Sequence, residues 1–306
     1  MSFDTLLAEL ADASRPVRAS TLTALSALGP AETSRFLTVW PDLPDVRRRQ
    51  IVVKLVQLAE DNVELNFDTV YLMALADADA DVRLAAVQGL WEYEGRDLIN
   101  HLIGLLRFDP DARVRAEAAL GLGRFALLAE FGRLAEVDAD RVDDALRRAA
   151  ADAGEAAEVR GRAIEAVGAR SLPWVTELIR EAYAGGERRL RISAIHAMGR
   201  SCDARWLDDV IHELENEDPE FRYEAATASG AIGDEAAVPH LVPLLDDADP
   251  EVQEAAIHAL GEIGGREAKK ALEQALDTRD ERVREAIEQA LAEADFYDDP
   301  LGFRLR

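Results

Sequence analysis

An apolar residue followed by a basic or polar one recurs through this chain at a fixed interval. Val159-Arg160, Leu190-Arg191, Phe221-Arg222, Val252-Gln253 and Val283-Arg284 follow one another at 31 residues each time. Upstream, Val17-Arg18, Val46-Arg47, Val82-Arg83 and Val114-Arg115 continue the series at spacings of 29, 36, 32 and then 45 up to Val159. A period in this range marks stacked supersecondary units, none of which can bury its apolar face alone. The 306 residues are therefore read as one array and not as two unrelated domains.

Each unit begins with a helix start. Three residues before the apolar position stands Ser14, Asp79, Asp111, Asp218, Asp249 or Asp280. Such a side chain can accept from an orphan amide of the first turn. Pro219 and Pro250 follow directly, where a missing amide costs nothing. Apolar residues then recur at helical spacing, as in Val252, Ala256, Ile257 and Leu260, or Leu190, Ala194, Ile195 and Met198. Nine residues after the repeat position comes a glycine, at 123, 168, 199, 230 and 261. It either ends the helix or admits a neighbouring backbone. A second helical segment follows, as at 172–183, 204–215, 236–247 and 266–277, and no stretch alternates with the period of a strand.

The pattern D-P-x-V-R-x-x-A-x-x-A-L-G-x-I-G resembles HEAT repeats of the short type first described in phycobilisome lyases. The resemblance covers roughly residues 12–294 and is looser over 31–75, where Gln50 and Lys54 fill positions that are apolar elsewhere. It implies that the second helix of each pair lines the concave side. The expected fold is an all-α, right-handed α-solenoid, a superhelix of about eight hairpins with end caps. Repeats start near 12, 42, 77, 109, 155, 187, 218 and 249. A half-repeat cap spans 280–294, and the tail 295–306, with Phe296, Tyr297 and Phe303, breaks the pattern. Phe3, Leu6, Leu7 and Leu10 form the apolar stripe of an N-terminal cap. The 45-residue interval carries an insertion at 124–142, read either as a binding feature or as an elongated first helix plus a loop.

Composition limits function. Sixty acidic residues face 35 basic ones, only three of them lysine, for a net charge of −25. That surface repels a phosphate backbone, so nucleic acid is not the expected partner. It suits solubility, salt adaptation or a basic protein partner. One cysteine, Cys202, excludes an internal disulfide and a cysteine zinc site. No stretch has the length of an apolar membrane span, and the start MSFDTLLAEL lacks the marks of a signal peptide, so a cytoplasmic protein is expected.

No catalytic motif emerges. The resemblance extends to deoxyhypusine hydroxylase, whose His-Glu pairs on first helices hold iron. Here the corresponding places, such as Ala116-Glu117 and Tyr223-Glu224, have no histidine, and the single His-Glu pair, His212-Glu213, lies on a second helix. His196 and His258 share a repeat position two units apart, too far to share a metal. No cofactor or metal is implied. Trp174 and Trp206 open second helices in consecutive repeats and are either binding anchors or gap fillers. Arg205, His212 and His240 are read as rim residues beside them. The arginine runs at 47–49 and 188–189 are read as solvated faces or as partners for acids of the next repeat. The expected function is a non-catalytic scaffold that binds a protein or peptide along its concave face. The alternative is an enzyme or enzyme subunit of the lyase or hydroxylase type, with a site outside known motifs. The repeat register itself is testable: Val252→Asp buries an unpaired charge and should cost several kcal/mol, seen as a lowered melting temperature. A variant that melts like the parent would show the register to be wrong.

Overall fold

The computed structural model describes residues 2–12, 14–276 and 281–298, without the side chains of 296–298. The described residues are helical, with no strand among them. In chain order the helices are α1 (Phe3–Ala11), α2 (Ala19–Leu22), α3 (Pro30–Val39), α4 (Asp45–Asp61), α5 (Asp68–Ala74) and α6 (Ala80–Gly89). Then come α7 (Arg96–Phe108), α8 (Ala112–Glu130), α9 (Glu136–Ala151), α10 (Ala157–Val167), α11 (Pro173–Ala184) and α12 (Arg188–Ser201). The last six are α13 (Leu207–Glu213), α14 (Pro219–Ile232), α15 (Val238–Leu241), α16 (Pro250–Ile263), α17 (Gly265–Ala275) and α18 (Glu281–Asp298). They form two compact units, one of residues 1–125 and 134–159, the other of 126–133 and 160–306. Each is a stack of helical hairpins, the α-solenoid expected from the repeat. No helix among the described residues is long and apolar enough to cross a membrane.

In the second unit the first helices α12, α14, α16 and α18 pack in succession. Their apolar stripes are the predicted ones: Leu190, Ala194, Ile195 and Met198, then Val252, Ala256, Ile257 and Leu260, are all buried. The repeat glycines lie against the next helix. A methyl group on Gly168, Gly199, Gly230 or Gly261 would lie 2.8, 2.7, 2.9 or 3.0 Å from the Cα of Ala197, Ala228, Ala259 or Ala290. At Gly199, Gly230 and Gly261 the helix runs on past the glycine, so close approach and not termination explains them.

The basic residue of the repeat position folds back and reaches forward. Arg222 donates from Nε and Nη2 to the Asp247 carboxylate, both at 2.8 Å, and from Nη1 to the Asn216 and Glu217 carbonyls. In the first unit Arg83 binds Asp109 and the Asp77 and Ala78 carbonyls in the same way. Arg115 does so with Glu155 and the Asp109 and Pro110 carbonyls. The fork matches a carboxylate with two parallel bonds. The aspartate also closes its own turn, since Asp77, Asp109 and Asp247 each accept the amide two residues on, at 2.9 Å. At the equivalent place in the second unit Asn216 accepts the Asp218 amide, and the charge for Arg191 comes from Glu213 at 2.9 Å.

Four expectations are corrected. Val46 is 61% exposed while Arg47 and Arg48 are buried, so the repeat pair there is Arg47-Arg48, one residue later than the sequence pattern suggests. Arg48 pairs with Asp77 at 2.8 Å, as its counterparts pair with their acids. The apolar slots are then Ile51, Val52 and Leu55, which are fully buried, and Gln50 and Lys54 fall on another face. Ser14 caps no helix: α2 starts at Ala19, and the Ser14 hydroxyl turns back to Asp12. Helix α18 continues through Asp298, past the limit of 294. Asp280 and residues 299–306 lie outside the described residues, as do the side chains of Phe296 and Tyr297. The other cap residues behave as expected, with Asp79, Asp111, Asp218 and Asp249 each accepting from an amide two residues on.

The glycine contacts make a paired prediction. Gly199→Ala should lower stability by about 1–3 kcal/mol, because backbone must move to admit the methyl. Gly104→Ala in α7, where a methyl would meet nothing within 4 Å, should raise it by up to about 1 kcal/mol through helix propensity. Urea unfolding midpoints of the two variants measure both signs.

Candidate protein-binding face

On α14 and α16 of the second unit, four positions at spacings of three, four and seven lie toward one groove. On α14 they are Glu220, Tyr223, Glu224 and Thr227; on α16 they are Glu251, Glu254, Ala255 and His258. These eight residues and Arg282 at the start of α18 line an open groove of about 840 Å³. Tyr223 is 39% exposed, and Glu251, Glu254 and His258 are exposed beside it. Four carboxylates thus face one guanidinium in the lining. Glu254 is tied to Arg282 at 2.8 Å, Glu220 to Arg188 at 2.5 Å and Glu224 to His196 at 3.2 Å. Glu251 makes no ion pair among the described residues and leaves the groove net acidic.

At the same four positions one and two repeats earlier, Gly161, Glu165, Ile192 and Ser193 are buried. On α12 these positions are Arg189, Ile192, Ser193 and His196; on α10 they are Glu158, Gly161, Arg162 and Glu165. Glu165 is 5% exposed and Ser193 is fully buried. Ser193 donates to Glu165 at 2.8 Å, and Arg189 and Arg162 each lie 2.9 Å from its carboxylate. A methyl on Gly161 would lie 2.5 Å from Ser193 Oγ, so a larger residue there would have to displace that hydroxyl. Burial works against the Glu165 charge, but Arg189, then Arg162 and the Ser193 hydroxyl, outweigh it and hold the carboxyl below its usual range. The face therefore passes from a neutralised, closed network to an open acidic groove along one stack.

The five residues singled out in the sequence lie elsewhere on the second helices, and none lines this groove. Trp206 is 4% exposed, with the Arg180 guanidinium 5.6 Å from its ring. Trp174 is half-buried in α11. Arg205 is exposed and turns to Asp203 at 2.6 Å; His212 on α13 and His240 on α15 are exposed. Glu213, beside His212, is buried and accepts from Tyr183, Arg191 and Asn216. Cys202 is exposed at the end of α12, in the left-handed region at φ 49°. Of the arginine runs, Arg49 reaches Asp79 and Arg188 reaches Asp218, both at 2.7 Å, while Arg47 and Arg48 are buried. The 124–142 interval holds the end of the long helix α8, a turn, and the start of α9. Among the described residues no group of three His, Cys, Asp or Glu is placed to hold a metal.

The sequence carried a signal for the groove that the apolar pattern hid. Glu220 and Glu251, Tyr223 and Glu254, Glu224 and Ala255, Thr227 and His258 each stand 31 residues apart, and only the last column, through His196 and His258, stands out by eye.

Comparison with known proteins agrees with this architecture. The family model described as HEAT repeats matches residues 69–155 and 207–292, more than half of the chain. The chain belongs to the HEAT-repeat family. It is similar in fold to the complex of CpcE and CpcF of phycocyanin lyase from Nostoc sp. PCC7120, at 16% identity and a TM-score of 0.53. That match covers 93% of this chain and 97% of the other. It is also similar in fold to Kap95p bound to RanGDP, at 14% identity and a TM-score of 0.52, over 98% of this chain and 46% of that one. Kap121p bound to Pho4p matches at 15% identity and a TM-score of 0.51, over 95% and 37%. No curated protein matches the chain.

The Glu165 network sets a pH dependence. Its folded-state carboxyl is depressed, so the unfolded chain binds the proton more readily. The stabilisation is full above the ordinary glutamate range near pH 4.3 and is lost as pH falls through the lower folded value. Glu165→Gln should therefore flatten the acid limb of a stability-versus-pH profile, read by thermal melts between pH 3 and pH 6. An unchanged slope would remove Glu165 from the network.

Proposed function

We propose that this protein is a non-catalytic scaffold that binds a protein or peptide partner, and that the acidic first-helix groove of the second unit takes a basic segment of that partner. The observation that carries the reading is the open groove of Glu220, Tyr223, Glu224, Glu251 and Glu254, in which carboxylates outnumber cations. An exposed aromatic among carboxylates suits lysine and arginine, whose stems pack on the ring while their charges reach the acids. Kap95p and Kap121p are described in complexes with protein partners, and a fold shared with them is compatible with such a role. The second-helix residues Trp174, Arg205, His212 and His240 belong to the proposal as a separate contact surface. Trp206 supports that surface from beneath.

The repeat also sets a spacing. Glu220 and Glu251 hold the same register on neighbouring helices, and packed helices lie about 8–10 Å apart. An extended segment covers that distance in about three residues at ~3.3 Å each. Side chains of an extended segment alternate between faces, so the fitting partner carries basic side chains two residues apart, whose flexible stems span the remaining distance. Titration calorimetry with a peptide holding two such lysines should show binding that weakens with added salt. Glu220→Gln and Glu251→Gln should each weaken it roughly two- to fivefold, the scale of an exposed ion pair. A basic peptide that binds no better than an acidic one of equal length would refute the reading.

A further inference from the structure

The first unit has a groove of different chemistry, lined by both helices of its hairpins. Val56 of α4, Leu98 and Leu102 of α7 and Leu120 of α8 line a space of about 450 Å³, with Trp91 at its edge. Trp91 is 67% exposed and Leu120 43% exposed, so two large apolar side chains face water beside one another. Volume and lining fall within the range of small recognition pockets. Arg124 of α8 also lines this groove. Its Nη2 donates to the carbonyls of Leu90 and Tyr93 at the end of α6. Its Nε and Nη1 are buried and have no acceptor among the described residues.

We propose that this groove docks a partner segment with a large apolar side chain, main-chain carbonyls offered to Arg124, and a flanking basic residue. The apolar walls call for the side chain. The three N–H bonds of Arg124 Nε and Nη1 lack an acceptor among the described residues, so a guanidinium that turns toward the groove gains most from meeting an oxygen there, since a buried donor without a partner is costly. Burial holds the Arg124 pKa below its ordinary value, with Glu94 and Glu92 pulling the other way, so the guanidinium is incompletely compensated where it lies. The rim decides what kind of oxygen. Glu60 and Glu117 border the groove and repel a carboxylate, so a neutral carbonyl fits and a basic neighbour is favoured. The site is independent of the acidic groove, since it rests on apolar burial and an arginine, and on none of the same residues.

The test uses the full chain and two probes, acetyl-Lys-Leu-Leu-Lys-amide and acetyl-Glu-Leu-Leu-Glu-amide. The readout is the indole N–H resonance of Trp91, assigned through Trp91→Phe. The basic probe should shift it saturably, and the acidic probe should bind at least fivefold more weakly. Leu120→Glu, a change at an exposed position, should abolish the response, and Arg124→Met should weaken it at least fivefold. The Glu220→Gln, Glu251→Gln double variant should leave it intact, which separates this site from the acidic groove. The proposal is overturned if Trp91 does not respond, if the two probes bind equally, or if Leu120→Glu binds like the parent.

Discussion

The contact between a glycine of one first helix and the Cα of an alanine on the next sets the terms for the second unit. Its distances vary by only a few tenths of an ångström across four successive interfaces, from Gly168 to Ala290. Helices that meet through glycine and alanine approach more closely than those separated by larger side chains, and their rotation about one another is fixed by the same contact. Every other residue of the repeat then recurs in the same place on the next helix. Within this unit, the apolar stripe and the columns of the outer face follow from that single alignment.

Regular alignment turns sequence columns into surface properties. One set of four positions makes a closed cluster where Glu165, Arg162, Arg189 and Ser193 satisfy one another. The same set makes an acidic groove where glutamates outnumber cations. The helices need not change for this to happen, since these side chains lie outside the glycine contact. A repeat scaffold can thus alter what it recognises one residue at a time, at little risk to its stack.

Much of the fold was legible because the apolar period and the cap residues are local signals. The stripe through Val252 and Leu260 and the caps at Asp218 and Asp249 needed only spacing and side-chain chemistry. The error at Val46-Arg47 has a physical cause. Two arginines there are buried by hydrogen bonds to carbonyls and acids distant in sequence, so hydrophobicity chose the wrong neighbour as the inward residue. The apparent looseness at Gln50 and Lys54 was the same error counted again. The paired acids at 77 and 79, 109 and 111, 247 and 249 were visible in the sequence, but only one of each pair reads as a helix cap. The fork to arginine becomes apparent only when the repeats are stacked. The acidic groove was hidden for a related reason: exposed columns of mixed charge have no apolar period to reveal them.

Arg47 illustrates the effect of a clasp whose acceptors are all main chain. It joins α4 to the end of α1 through the carbonyls of Glu9, Leu10, Asp12 and Arg15. Carbonyls are supplied by every amino acid, so substitution at those four positions leaves the acceptors in place as long as the backbone keeps its path. The leading helix is thus held by an attachment that is blind to side-chain identity. The outer surface of that cap is free to drift in sequence while its seat on the stack stays the same, and the cost falls on one residue, the arginine, which has no substitute with the same fan of donors.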